Sequence, residues 1–349
     1  MSAISIDGVR VGPSHPVFVI AEMSANHGGS IERALDTIRA AADAGASAVK
    51  LQTYRPETMT MDRADSPFVL RDPSPWAGRR LFDLYEEGRT PWEWHEELFA
   101  CAESHGIICF SSPFDLAAID LLESVGCPAY KIASFEIGDL ELIRATASTG
   151  KPIIVSTGMA SREEIDEAVE TAQAAGDGGI ALLRCNSSYP APVDEMDLAT
   201  IGDMLARWNV PVGLSDHTLS STAAVSATAL GAVLLEKHFI LHREQGGPDS
   251  AFSIEPDEMA RLVAEVESAR LAVGRVRYGP SPGEAPSVAL RRSLWFVEDA
   301  AAGDVLTTAH VRALRPAGGV APKHLAEVIG RRAKVAVRGG TPVSWDLID

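Results

Sequence analysis

Between Val17 and Val273, short apolar runs alternate with longer amphipathic stretches. Eight runs read as strands: residues 17–23, 48–53, 107–112, 129–134, 152–157, 180–185, 211–215 and 233–240. Each is short and mostly aliphatic or β-branched, the texture of parallel strands buried on both faces. Between them the apolar positions fall at helical spacing. Ile31, Leu35, Ile38 and Ala42 mark one helix over residues 30–44, and residues 162–175 and 256–273 predict two more. Ser161 ahead of Glu163 and Glu164 is an N-cap signal. Strands alternating with helices eight times over predict an α/β fold, the (β/α)8 TIM barrel. A doubly wound open sheet competes, but no G-x-G-x-x-G follows the first strand, so its dinucleotide-binding form has no support.

Two stretches break the alternation. Residues 53–91 are too long for an ordinary βα loop and carry Asp62, Asp65, Asp72, Pro73 and a helix-like run at 79–87. At the C-terminal face of a barrel such a segment reads as a lid or substrate clamp. Residues 279–286, Gly-Pro-Ser-Pro-Gly-Glu-Ala-Pro, read as a linker. The expected organisation is a barrel over residues 1–280, a linker over 281–289 and a small domain over 290–349, with short strands at 293–297, 301–304 and 338–341. So small a domain is marginal alone and is expected to dock on something.

Composition narrows the function. The chain has 349 residues, 46% hydrophobic and 23% charged, an ordinary folded profile. Its net charge of −17 repels nucleic acid but leaves room for a local cationic site. No apolar run approaches the ~20 residues that span a bilayer, and residues 1–10 lack the apolar core of a signal peptide. Cys101, Cys109, Cys127 and Cys185 form no C-x-x-C pair and read as buried thiols in a reducing cytoplasm. A cytoplasmic protein with neither nucleic-acid nor membrane partner is expected.

The chemistry collects where a barrel keeps its active site, at the C-terminal ends of the strands. Those ends supply Glu22, Asn26 and His27; Lys50 and Gln52; Ser112; Lys131, Ser134 and Glu136; Ser156; Ser187 and Tyr189; Ser215 and His217; Glu236 and His238. Side chains alternate along a strand, so Lys50 shares a face with Gln52 and Glu236 shares one with His238. With those faces inward, lysines, carboxylates and imidazoles converge on one cavity. Buried charge without compensation is costly, so the repetition implies a wet, functional mouth. A single such lysine, or either histidine, has a structural reading too: an ion pair or a satisfied core imidazole. Together, beside Glu236, His217 and His238 look like two ligands of a divalent metal. Lys50 and Lys131, with Ser134, Ser156 and Ser215, can hold a phosphate. His27 either binds substrate or hydrogen-bonds its own loop. No P-loop is present, which argues against a nucleoside triphosphate.

The segments Ile20-Ala-Glu-Met-Ser-Ala-Asn-His27, Lys50-Leu-Gln-Thr-Tyr54, Phe110-Ser-Ser-Pro-Phe114, Tyr130-Lys-Ile-Ala-Ser-Phe-Glu136, Val155-Ser-Thr-Gly158, Gly213-Leu-Ser-Asp-His-Thr218 and Glu236-Lys-His-Phe239 resemble the sialic acid synthases. Residues 292–297, 315–319 and 325–330 resemble the antifreeze-like (SAF) domain that follows the barrel in that family. Tyr85-Glu-Glu-Gly-Arg-Thr-Pro-Trp-Glu-Trp-His95, Phe135 and Asp249-Ser-Ala-Phe-Ser253 are similar to the pseudaminic acid branch, the N-acetylneuraminic and legionaminic branches being the alternatives. Asn186 stands where the family usually carries Thr.

The resemblance implies condensation of phosphoenolpyruvate with an N-acylated amino sugar, giving a nine-carbon 2-keto acid and phosphate. It implies Mn2+ or Mg2+ on His217 and His238. Lys50, Lys131, Ser112, Ser134, Ser156 and Ser215 would take the phosphate, and Ser187 the carboxylate end. Glu22 would act on water, with Glu236 in the catalytic group. Gln52, Glu136, Tyr189 and Asp249 would meet the sugar, with Asn26 and His27 also among the substrate-binding residues. A domain-swapped homodimer would bring Arg315 from the partner chain. A pyruvate aldolase and a non-catalytic sugar-binding protein are the more distant readings.

Overall fold

The computed structural model describes residues 3–72 and 74–349; Met1, Ser2 and Pro73, the last named above in the long loop, lie outside the described residues. The chain divides into two compact units, Met1–Gly274 and Arg275–Asp349.

The first unit opens on a hairpin of β1 (Ile4–Ile6) and β2 (Val9–Val11), paired antiparallel. Asp7 and Gly8 have φ of 47° and 77°, the positive pair that a type I′ turn requires. Ile4, Ile6 and Val11 are buried. Ile4 packs on Gly179, where an added Cβ would come within 2.9 Å of its methyl group. Gly179 immediately precedes a barrel strand, so the hairpin lies across the N-terminal end of the barrel. The hydrophobic pattern left this hairpin unread, because three-residue strands carry too little periodicity.

Eight parallel strands then close on themselves in chain order: β3 (Phe18–Glu22), β4 (Ala48–Thr53), β5 (Ile108–Pro113), β6 (Tyr130–Ile132), β7 (Ile153–Ser156), β8 (Ile180–Cys185), β9 (Val212–Asp216) and β10 (Leu234–His238), with β10 pairing back onto β3. This is the expected (β/α)8 barrel, and every strand falls on or overlaps its expected run. The register sets the chemistry side by side: Glu22 pairs with Lys50 on one flank and His238 on the other, and Ser215 pairs with Glu236.

One helix of the outer ring follows each strand: α1 (Ile31–Asp43), α4 (His95–Ser104), α5 (Leu116–Ser124), α6 (Leu140–Ala147), α7 (Arg162–Ala175), α8 (Thr200–Trp208), α9 (Thr222–Ala229) and α10 (Pro256–Val273). The short α2 (Pro56–Met59) and α3 (Leu81–Gly88) belong to the long segment after β4. Short polar side chains start several helices by accepting from orphan amides: Ser30 from Arg33, Asp115 from Ala118, Asp139 from Leu142, and Ser161 in a capping box with Glu164. Among the described residues no helix is long and apolar enough to cross a membrane.

The second unit pairs β11 (Ser293–Phe296) with β12 (Val311–Leu314) antiparallel and adds the single turn α11 (Leu325–Val328). Leu294, Phe296, Leu306, Val311, Val328 and Val343 form its own core. Residues 301–304 and 338–341, expected as strands, are turns instead. Gly303 and Gly340 take φ of 90° and 88° within them, and pairing nearby is confined to isolated bridges such as Ala300 with Val337. The linker-like stretch is ordered: Pro282–Leu290 is a run of 3-10 helix whose first turn Ser281 and Glu284 cap reciprocally.

Candidate active site

Glu22 ends β3, Lys50 lies in β4, Lys131 in β6 and Glu236 in β10, and all four are only 2 to 5% exposed. They form one charged cluster on the barrel axis. Lys50 Nζ lies 2.6 Å from Glu22 Oε2 and 3.7 Å from Glu236 Oε2, and Lys131 Nζ is 3.7 Å from the other oxygen of Glu236. Ser215 donates to Glu236 at 2.9 Å, and Lys50 reaches Ser112 at 3.3 Å. Gln52 donates to both Glu22 and Ser24 at 2.9 Å. The alternation that put Gln52 with Lys50 and His238 with Glu236 is therefore realised.

The two carboxylates differ in their titration. Burial pushes Glu22 up to about 7, partly opposed by Lys50 and reinforced by Glu236. Burial also penalises the Glu236 anion, but Lys131 and Lys50 outweigh it and hold that carboxyl at about 2. Lys50 moves upward, because its two carboxylates overcome burial; burial takes Lys131 downward. One carboxylate is thus fixed as an anion and the other exchanges its proton near neutrality, the separation that acid–base catalysis uses. Two lysines facing one permanent anion make this spot cationic within a protein of net charge −17.

Nearer the mouth stand the histidines. His238 ends β10, and His217 follows β9, their rings 5.4 Å apart. Nδ1 of His217 shares a hydrogen bond of 2.7 Å with the Asn186 carbonyl, so Nε2 is the nitrogen left to face a ligand. The Asn186 side chain accepts from the Ser188 amide and donates to the Glu195 carbonyl. That accounts for its place after Cys185: it builds the turn that orients His217. Burial, then the positive charges of His217 and Lys50, keep His238 well below the ordinary imidazole range and hence neutral. Its Nδ1 is buried without a hydrogen-bond partner, 3.8 Å from Asp249 Oδ2. One imidazole oriented from behind, and a second held neutral with an orphan nitrogen, suit a divalent metal. Among the described residues no group of three or more His, Cys, Asp or Glu is placed to hold a metal ion.

Around this core the serines cluster. Ser134 donates to Cys185 Sγ at 3.4 Å, Ser187 lies 3.7 Å from the same sulfur, and Ser156 Oγ is buried without a partner. Gly158, at φ 42°, makes this approach possible: an added Cβ would sit 2.4 Å from that of Ser134 and 2.9 Å from Ser187 Oγ. Burial pushes the Glu136 carboxyl up to about 7 against the pull of Lys131. Tyr189 packs its ring 4.3 Å from His217 and 5.0 Å from Phe252.

Not every expected residue joins. The Asn26 amide donates to the Phe239 carbonyl and Ser253 Oγ, tying the loop after β3 to the loop after β10. His27 is fully buried, accepts from the Gly29 amide and meets the edge of Trp94. Asn26, expected to meet substrate, builds the loop, and His27 takes the second of its two readings, a hydrogen bond within its own loop: the 3-10 turn Ser24–His27 folds both side chains back into the protein. Arg315 is exposed on the second unit.

Three features went unread in the sequence. Cys185, read there as a buried thiol and buried here, also contacts His217 Nδ1 at 3.9 Å among the serines; its position at the end of β8 was the available signal. Trp76 and Phe252 add rings beside Tyr189. The third is a buried ion pair on the outer side of the sheet. Lys237 Nζ donates to Asp216 Oδ2 and to the Thr218 carbonyl, both at 2.7 Å, while the Thr218 amide donates to Asp216 Oδ1. Asp216 and Lys237 immediately precede His217 and His238, so the pair clasps the turn that carries one histidine to the strand that carries the other. Lys237→Met strands a buried carboxylate and is expected to cost about 3 kcal/mol in urea denaturation, most of it recovered on adding Asp216→Leu. An unchanged midpoint would show that the clasp does not hold the turn.

Surface cavities elsewhere do not compete. One lies at the other end of the barrel beside Ile4, Lys151 and Asp177, and one between α9 and α10; neither is lined by the buried charges described above.

A closed (β/α)8 barrel whose mouth joins a cationic floor to a histidine pair defines a barrel enzyme that handles an anionic substrate. The chain belongs to the NeuB family, whose model matches residues 37–278, and residues 291–349 match the SAF domain. It is 39% identical to the pseudaminic acid synthase of Helicobacter pylori over 96% of this chain and 98% of that one. It is 32% identical to the N,N'-diacetyllegionaminic acid synthase of Legionella pneumophila over 99% of this chain and 98% of that one. Among solved structures, the N-acetylneuraminic acid synthetase of Leptospira borgpetersenii, in complex with citrate, matches with a TM-score of 0.74 and 31% identity over 82% of this chain and 95% of that one.

Proposed function

We propose that this chain is a pseudaminic acid synthase, a transferase joining phosphoenolpyruvate, 2,4-diacetamido-2,4,6-trideoxy-L-altrose and water into pseudaminic acid and phosphate. The observation that carries the reading is the cationic floor of the barrel, Lys50 and Lys131 on either side of Glu236, in a chain 39% identical over nearly its whole length to an enzyme of that name. The legionaminic relative, at 32%, fits less well.

Lys50 and Lys131 take the phosphate of phosphoenolpyruvate, with hydroxyls from Ser112, Ser134, Ser156 and Ser215; Ser187 meets the carboxylate end. Such fixed charges need no reorganisation as the reaction proceeds. Gln52, Glu136, Tyr189 and Asp249 hold the open-chain sugar so that its aldehyde faces carbon three of the enol. His217 and His238 would hold Mn2+ or Mg2+, which supplies Lewis acidity toward an aldehyde oxygen. The new carbon–carbon bond leaves positive charge on carbon two. Glu22, between Gln52 and Lys50, orients a water toward that carbon and takes its proton; the carbon–oxygen bond to phosphate then breaks. Holding both substrates in one frame removes most of the entropic cost of their meeting.

A homodimer completes the proposal, with the SAF domain of a second copy over this mouth and its Arg315 toward the acyl group. Phe135, Met159 and Leu219, three residues beyond the ends of β6, β7 and β9, support it: each is an apolar side chain on the rim and more than 60% exposed. The four free, buried cysteines suit a cytoplasmic setting.

Phosphate release from phosphoenolpyruvate with Mn2+ tests the reading against three sugars: the altrose sugar, N-acetylmannosamine and 2,4-diacetamido-2,4,6-trideoxymannose. Release with the altrose sugar alone is expected. Preference for another sugar moves the protein to that branch, and silence with all three from folded, metal-loaded protein removes the synthase reading.

A further inference from the structure

The segment between β4 and α4 does more than cover the barrel. Residues 68–72 and 74–81 lie back against each other, with Leu70 and Leu81 donating to the carbonyls of Arg79 and Phe68 and Gly78 donating to the Leu70 carbonyl. Arg80 braces the base through Asp62 at 2.8 Å and through Asp83. At the tip of this turn-back sits Trp76. Its ring lies 5.7 Å from Tyr189 and meets Phe252 nearly edge-on at 6.3 Å. Those two rings border the histidines, Tyr189 at 4.3 Å from His217 and Phe252 at 5.0 Å from His238. Three aromatic side chains from distant parts of the chain thus make one wall beside the histidine pair.

The other tryptophans of the segment are engaged in building it. Trp92 lies under the Arg55 guanidinium at 3.9 Å and donates to the Tyr54 carbonyl; Trp94 packs on His27. Trp76 differs. It is half-buried, and its indole N–H is already used by the Pro248 carbonyl at 2.9 Å, in the loop that also carries Asp249. What it can offer a ligand is therefore the apolar face of the ring. Such a face accepts C–H and methyl groups and offers no partner to a hydroxyl.

We infer that Trp76 is a specificity-determining residue, closing the sugar subsite with an apolar wall that selects a methyl group at carbon six over a hydroxymethyl group. The inference rests on the synthase reading above. A hydroxymethyl group against this wall gives up water without gaining a donor or acceptor, a loss of about tenfold to a hundredfold in specificity.

The test compares 2,4-diacetamido-2,4,6-trideoxy-L-altrose with its counterpart bearing a hydroxyl at carbon six, at saturating phosphoenolpyruvate and Mn2+. Wild type is expected to favour the 6-deoxy sugar by about tenfold or more in kcat/KM, and Trp76→Ala to reduce that preference to about twofold or less. The change should appear in KM for the sugar, with KM for phosphoenolpyruvate unmoved, and Trp76→Phe should retain most of the preference. Binding of the 6-deoxy sugar should also quench tryptophan fluorescence in wild type and not in Trp76→Phe, a readout independent of turnover. An unaltered preference in folded Trp76→Ala, or a quench that survives in Trp76→Phe, overturns the inference alone. Wild-type protein that releases phosphate with neither sugar overturns the synthase reading and this inference together.

Discussion

Glu22→Gln is expected to lower turnover by roughly a hundredfold to ten-thousandfold while leaving substrate binding near its wild-type value. The substitution keeps an oxygen for the Gln52 amide and leaves Glu236 as a carboxylate near Lys50, so the fold loses little. What disappears is the one carboxyl of the floor that exchanges a proton near neutrality. In wild type Glu22 must be ionised to take a proton from water. With burial pushing it up to about 7, kcat should climb with pH through that value and level off above it. The variant should show the low rate without that rising limb. Turnover that is undiminished removes Glu22 from the mechanism, and a limb that persists in the variant belongs to another group.

Lys50→Met is expected to cost both stability and function. Lys50 is the shared counter-ion of Glu22 and Glu236, at 2.6 and 3.7 Å. Its removal leaves two buried carboxylates with Lys131 alone, and breaking a buried pair in this way costs about 3–5 kcal/mol at neutral pH. In wild type the depressed Glu236 contributes stability above the ordinary carboxylate range, lost only as pH falls through about 2. The raised Glu22 works in the opposite direction, opposing folding increasingly as pH rises from the ordinary range through about 7. Without Lys50 both carboxyls move upward, so the deficit should be largest above neutrality and shrink on acidification as the pair protonates. Urea denaturation of both proteins across that range checks it. A deficit that is constant with pH would mean that Lys50 stabilises through packing and not charge.

How much of this was legible in the sequence depends on the distance over which each feature is specified. Strand positions were legible because a strand buried on both faces writes itself as a short, mostly apolar run. Gln52 with Lys50 and His238 with Glu236 were legible because alternation along one strand is local. The clasp of Asp216 and Lys237 was not, although both residues were in plain view, because it depends on the register of β9 against β10. The part that Asn26 and His27 play in building their own loop was hard to read for a related reason. They directly follow a strand end, but a single 3-10 turn reverses the direction in which their side chains point. Trp76 meets Tyr189 and Phe252 only when two long loops fold over the same rim, and no periodicity anticipates that. In the second unit, residues 301–304 and 338–341 were expected as strands, but their Ala-Ala-Gly-Asp and Arg-Gly-Gly-Thr are turn formers, and Gly303 and Gly340 take the positive φ of turns.

The hairpin of β1 and β2 bears on the traffic of molecules. With Ile4 seated against Gly179, just before β8, the hairpin covers that end of a barrel whose interior is packed with its own side chains. Arrivals and departures share one doorway, which the histidines and aromatic rings flank while the lysines lie further in. Whatever settles on the lysines must pass before the doorway fills, and whatever is left there must wait for it to clear. On the proposed reading, the order of events in each cycle follows from queueing at that doorway, while the eight-residue hairpin Ile4–Val11 covers the far end without any contact to either substrate.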